Sequence, residues 1–304
     1  LTINTTAAVT VSGAIGTDIG TFTLTNSGGA TFSGAVSATT VTLTNTTGTI
    51  ALNGGLTATT LNTAAVAYNV SIVGSSNSVT NAVTFSNTGT LALGDGGDTL
   101  AFAGGITATA PSAVTLGGTL NTNSAAVSLG ATAKTLTVVG DAVINTYADA
   151  GLGATISIAG PIQGTTASTD SLALKAKGSA ITLSGVIGSS VSLATLTLGD
   201  ANQTGAIAVN GTVVANSLEV GANSGSNAFN ITFYNLVGSA GTTTITYIAN
   251  LPCGADTATY SITVNPNPCL PGYVPTNGLV GWWPFCGNAN DMSGNGNNGI
   301  PFGP

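Results

Sequence analysis

Histidine and arginine are absent from this 304-residue chain, and lysine occurs only as Lys134, Lys175 and Lys177. Without an imidazole, neither a Ser-His-Asp nor a Cys-His catalytic arrangement can be assembled, and the commonest zinc ligand is missing. Ten acidic residues against three lysines leave a net charge of −7. Phosphate binding needs a basic face, so nucleic acid is not an expected partner. Charged residues make up only 4% of the chain, against roughly a quarter in an ordinary globular protein. Disorder couples high charge with low hydrophobicity, whereas this chain is 43% apolar and poor in charge. The strong helix formers Glu, Lys, Arg, Gln and Met are nearly missing, which leaves all-β as the expected class. No apolar run approaches the ~18 residues of a membrane helix, so no membrane span is expected. The chain begins at Leu1 without a charged-then-apolar leader and reads as an excised or mature segment. Cysteine is confined to Cys253, Cys269 and Cys286, without the paired short spacing of a zinc site. A single disulfide, Cys253–Cys269, is the expected use, in keeping with an oxidising exterior.

What remains is largely Thr, Val, Ala, Ser, Asn and Gly. Thr and Val favour strands because a branched Cβ packs well on a pleated surface. Gly, Asn and Ser punctuate those strands. The punctuation repeats. Gly34-Ala-Val-Ser-Ala-Thr-Thr-Val41 matches Gly54-Gly-Leu-Thr-Ala-Thr-Thr-Leu61, and Gly104-Gly-Ile-Thr-Ala-Thr109 returns further on. Phe22-Thr-Leu-Thr-Asn26, Val41-Thr-Leu-Thr-Asn45 and Val83-Thr-Phe-Ser-Asn87 form a second set. Ile156-Ser-Ile-Ala-Gly160, Ile181-Thr-Leu-Ser-Gly185 and Ile207-Ala-Val-Asn-Gly211 form a third.

Periods of roughly 20 to 26 residues with alternating apolar positions predict a solenoid, whose coils bury apolar faces only by stacking. A right-handed parallel β-helix is expected over residues 1–222. Val36 and Leu56 should point inward on adjacent coils, with Leu43 beside a stack of Phe22 and Phe85. Asn26, Asn45 and Asn87 each follow a strand and precede a glycine, so they read as turn residues that could stack as an amide ladder.

Gly89-Thr-Leu-Ala-Leu-Gly-Asp-Gly-Gly-Asp-Thr-Leu100 and Leu193-Ala-Thr-Leu-Thr-Leu-Gly-Asp200 carry a resemblance to a known class. Residues 1–222 resemble the β-strand-repeat regions of filamentous-haemagglutinin-like and autotransporter-type bacterial surface proteins. The resemblance implies a secreted, surface-attached adhesive or spacer rod.

The texture changes after residue 222. Ten of the sixteen aromatics lie beyond it, and eight of the ten prolines lie from Pro252 onward. Thr242-Thr-Thr-Ile-Thr-Tyr-Ile248 and Thr257-Ala-Thr-Tyr-Ser-Ile-Thr-Val264 predict a β-hairpin cap or a small immunoglobulin-like module over 223–265. A Pro-rich linker follows at 266–276. Beyond it, Asn277-Gly-Leu-Val-Gly-Trp-Trp-Pro-Phe-Cys-Gly-Asn-Ala-Asn-Asp-Met292 resembles the opening strands of a laminin-G-type, concanavalin-like lectin domain. Residues 277–304 would then be the incomplete start of such a domain.

Three chemistries are weighed on residues. Asp95 and Asp98, in Gly94-Asp-Gly-Gly-Asp98, satisfy much of a β-roll calcium pattern, but once and not in tandem. No other cofactor is expected. Asp200 and Glu219 are 19 residues apart and could stack as a carboxylate pair, as glycosidases require. Thr-x-Thr pairs such as Thr23/Thr25, Thr42/Thr44 and Thr107/Thr109 suggest ice-binding solenoids, which need such a pair on every coil. These pairs keep no fixed period in the sequence. The expectation is therefore a non-catalytic, extracellular or cell-surface rod, structural or adhesive. Its expected partners are a host or environmental surface, glycans, or copies of itself. A carbohydrate-binding protein and a polysaccharide-degrading β-helix are the alternatives.

Overall fold

The computed structural model describes residues 1–16, 18–223, 231–233, 241–251, 254–264, 279–283, 289–291 and 293–300. Among these there is no helix, and hence none long and apolar enough to cross a membrane. Two compact units form: Leu1–Val237 with Thr244–Tyr260, and Gly238–Thr243 with Ser261–Pro304.

The first unit is a parallel β-solenoid of about ten turns. Each turn contributes to three ladders. The first runs through Val9–Val11, Ala30–Phe32, Thr49–Leu52, Asn69–Ile72 and Thr90–Leu93. It continues through Val114 and Leu136 to Ile162, then by single bridges to Ile187 and Val213. The second begins where Ile15 bridges Val36 and passes through Leu56–Thr63, Ser76–Val79 and Thr99–Phe102. It then follows Thr119, Val143, Ser171–Lys175, Leu193–Leu198 and Ala215–Asn223. The third ladder starts at Thr2–Asn4 and Thr21–Ser27 and crosses the later halves of Val36–Thr46 and Leu56–Thr63. It resumes at Val83–Thr84 and runs to Ile207–Val209.

Between those two stretches the third ladder breaks. Thr63 patches the gap: its hydroxyl accepts from Ser86 N–H at 2.7 Å and donates to the Thr84 carbonyl at 3.2 Å.

Alternation drives the stack. In Ile156–Ile158, Ile181–Leu183 and Ile207–Val209 the outer two residues are buried and the middle one faces out. Ile106, Val127, Ile156, Ile181 and Ile207 stand opposite one another on successive turns, all buried. Each such side chain contributes about 1.5–3 kcal/mol relative to exposure. No single turn could bury it, since the neighbouring turns supply the cover.

Turn length is not constant. Ile50 stands opposite Val70, a step of 20 residues, whereas Leu136 stands opposite Ile162, a step of 26. The corners absorb the difference, and the strands stay in register. Glycine is required where corners stack. A Cβ on Gly185 would lie 2.2 Å from the Gly160 carbonyl oxygen, and one on Gly211 would lie 2.0 Å from that of Gly185. The recurring Gly160, Gly185 and Gly211 are thus a column with no room for a side chain.

Val36 and Leu56 are paired and buried, as expected. The aromatic stack differs from the expectation. Phe22 packs edge-on against Phe32 at 5.4 Å, and Phe85 against Phe102 at 6.3 Å. Leu43 instead faces Leu24 and Thr63. Both rings of each pair belong to facing strands of one coil, so the aromatics fill the coil's width and not its height.

Stacking does not stop at residue 222. Ile231–Phe233 pairs in parallel with Ile207–Val209. Ile245 to Asn250 pair in parallel with Leu218 to Asn223. The run expected as the first arm of a hairpin is thus also a parallel strand of the second ladder. The second run is the strand Gly254–Val264. Pro252, Cys253, Cys269, Cys286 and the 266–276 linker lie outside the described residues, and so does the expected disulfide.

Candidate functional site

Asp95 and Asp98 sit in the corner between Thr90–Leu93 and Thr99–Phe102. Gly94, Gly96 and Gly97 all have positive φ, the left-handed backbone that glycine adopts without strain. The Asp98 carboxylate is buried, and its Oδ2 accepts the Asp95 N–H at 2.7 Å. A hydrogen bond to Asp98, with burial and Coulomb repulsion behind it, raises the Asp95 pKa. The pair thus closes a turn. Gly117 and Gly118 of the next coil lie directly over it, where a Cβ on Gly118 would meet the Asp98 carbonyl oxygen at 2.3 Å. Among the described residues no three His, Cys, Asp or Glu side chains gather as a metal would require.

Asp200 and Glu219 lie on adjacent coils but serve different partners. Glu219 accepts from the Thr197 hydroxyl at 3.2 Å. Asp200 accepts from the hydroxyl of Tyr147, two coils away and 53 residues earlier, and from Asn202 N–H at 2.9 Å. Sequence spacing could not find Tyr147, because the contact spans corners of unequal length.

Around that contact gather Asp149, Lys177 and Ser124. The corners between the second and third ladders pass through 122–126, 146–155, 176–180 and 199–206 on four successive coils. Lys177 Nζ lies 5.7 Å from the centre of the Tyr147 ring. It donates to the carbonyls of Gly151 at 2.6 Å and Ala150 at 3.2 Å. Ser124 donates to Asp149 at 3.1 Å. Burial, then the Asp200 hydrogen bond, pushes the Tyr147 hydroxyl up to about 12, so it stays a neutral donor. Ser124, Ala150 and Lys177 also have positive φ, at 51°, 60° and 52°. Each costs roughly 1–2 kcal/mol for a residue with a Cβ. Three such residues on consecutive corners persist because the stacked hydrogen bonds hold them. The arrangement cross-links four coils, with each strong donor or acceptor matched to a neighbour.

Asp170 was not singled out by sequence, since it ends a polar run that reads as a loop. It is buried between the first and second ladders and accepts four hydrogen bonds. Burial raises its pKa, but the donors at Thr166, Thr165 and Gly140 outweigh that effect and leave it lowered. The asparagines divide. Asn26 and Asn45 stand opposite each other on the outer side, whereas Asn87 is buried and donates to the Tyr68 and Thr90 carbonyls. No three-rung amide ladder forms.

In the second unit, Asp291 accepts the backbone N–H groups of Trp282, Ser293 and Asn297, each at 2.9 Å. The Ser293 side chain and these amides hold its carboxyl well below the usual range. Trp283 Nε1 donates to the Asn297 carbonyl.

Comparison of the chain with protein-family models, with curated proteins and with solved structures gives no match.

Proposed function

We propose that the chain is part of a non-catalytic rod at a cell surface or outside the cell, structural or adhesive in role. One observation supports this best: an unbroken apolar core through about ten coils, enclosed by strands whose outward residues are mostly Thr, Ser, Ala and Asn. Such a stack gives length and stiffness from nearest-neighbour packing alone. The likeness of residues 1–222 to adhesin-type strand repeats points the same way. A host or environmental surface is the proposed partner, and the role needs no cofactor.

Two assays test the reading together. The chain is displayed on beads and scored for adhesion to cells and to a glycan array, and it is incubated with a panel of polysaccharides. Adhesion without chain cleavage is the expected result. Polysaccharide turnover that disappears in Asp200→Asn or Glu219→Gln would establish the degrading enzyme instead. Glycan binding lost on deleting residues 277–304 would move the function to the lectin-like segment.

A further inference from the structure

The third ladder turns an irregular sequence into a regular surface. The middle residue of each of its strands faces outward between two inward neighbours. Thr2, Thr23, Thr42 and Asn62 stand opposite one another on successive turns. Beyond the break at Thr63 the column resumes with Thr84, Thr107, Ser128, Ser157 and Thr182, and Ala208 ends the run of hydroxyls. The sequence steps vary, from 19 residues between Thr23 and Thr42 to 29 between Ser128 and Ser157. Within each stretch the spatial step does not vary, because it is the strand spacing of ~4.8 Å.

Further hydroxyls stand two residues before the column at Thr21, Thr40 and Thr155 and two residues after it at Ser86, Thr109 and Ser184, so they flank it on both sides and form no second column. Such neighbours lie ~6.7 Å apart at the usual rise per residue. The central hydroxyls, which keep no period in the sequence, are nonetheless aligned in space from Thr84 to Thr182.

Three properties of this face bear on what it could hold. Its strands from Thr2 to Val209 contain no charged residue, whereas the second ladder carries Asp141, Lys175 and Glu219. The hydroxyls of Thr23, Thr84, Thr107, Ser128, Ser157 and Thr182 have no partner among the described residues and are free to bond outward. The rings of its strands, Phe22 and Phe85, are buried inside the coil, so the face offers no aromatic platform for a sugar. What it does offer is one unspent hydroxyl per ~4.8 Å on the five turns from Thr84 to Thr182, beside the methyl groups of Thr84, Thr107 and Thr182.

In a tetrahedral water lattice with O–H···O distances of ~2.8 Å, second neighbours lie ~4.6 Å apart. A hydroxyl column at the coil pitch meets that spacing to within a few tenths of an ångström. A charged group would instead retain its own tightly held hydration. We propose that the outer face of the third ladder binds ice. The proposal stands on the register of this face and does not depend on the surface-rod reading.

The test uses the full chain and two triple variants. Thr23→Lys with Thr42→Lys and Thr107→Lys alters the third ladder. Thr57→Lys with Ser78→Lys and Thr99→Lys alters exposed positions of the second. Each set adds three lysines and moves the net charge from −7 to −4. Thermal melting checks folding, and Thr107→Lys alone replaces the first set if that set unfolds. Ice partitioning during slow freezing and inhibition of ice recrystallisation are then measured. The unaltered chain and the second-ladder variant should enter the ice, and the third-ladder variant should be lost from it. Wild-type protein left in the liquid, or equal behaviour of the two variants, overturns the proposal. It is also overturned if the third-ladder substitutions abolish binding to crystalline cellulose, or break up a dimer, without changing ice partition.

Discussion

Asp170→Asn probes a buried carboxylate of the solenoid, and its effect can be worked out bond by bond. Oδ1 accepts Gly140 N–H at 2.7 Å; Oδ2 accepts Thr165 N–H at 2.6 Å, the Thr165 hydroxyl at 2.9 Å and Thr166 N–H at 3.0 Å. The milder orientation of the amide places its NH2 against Gly140, losing one bond to a charged acceptor, worth about 1.5–3 kcal/mol. It also leaves the Gly140 N–H facing a donor, while relief of a buried charge offsets part of the loss. A net destabilisation of about 2–4 kcal/mol follows. At ~2–4 °C per kcal/mol for a chain of this size, the melting point should fall by roughly 5–15 °C. The pH dependence carries its own sign. The folded pKa lies below the unfolded value of ~3.9, so the stabilisation is complete above that value. It disappears as pH falls through the lowered folded value. Circular-dichroism melts at neutral pH and across the acid range should show the wild type losing its advantage over the variant as the solution is acidified. Equal melting points at neutral pH, or a gap that persists once Asp170 is protonated, would refute the reasoning.

Leu56→Asp should cost several kcal/mol, because it buries an unpaired charge between Val36 and the core, whereas exposed Thr59→Ser should cost under about 1 kcal/mol. Denaturant titration of the two variants checks this, and equal midpoints would place Leu56 outside the core. Gly185→Ala should destabilise strongly, since its Cβ would press to 2.2 Å from a backbone oxygen, whereas Gly20→Ala meets nothing within 4 Å. Comparison of their melting points decides it. Tyr147→Phe should remove a tyrosine titration near 12, read by spectroscopy of ring-labelled protein. The raised value means its stabilisation is present below the unfolded pKa of ~10 and lost as pH rises through 12. A variant that melts like the wild type at every pH would show that the contact with Asp200 holds nothing.

The sequence by itself determined the class, the inward residues and the need for stacking. Alternation is a property of adjacent residues, so Ile156-Ser-Ile158 declares its buried and exposed sides without reference to any other coil. The crowded glycines Gly160, Gly185 and Gly211 were legible for the same reason, as a repeated local signal. Partners across coils were not, because they depend on how many residues each corner consumes. Asp200 faces Tyr147 and not Glu219 because the intervening corners differ in length. Asn87 turns inward while Asn26 and Asn45 stay out because the third ladder breaks between their coils. The Thr and Ser column emerges for the converse reason. Hydrogen-bonded ladders hold the strands in register, and the variable corners absorb every insertion. Only the tertiary structure could decide that residues separated by 19 to 29 positions would stand in one line.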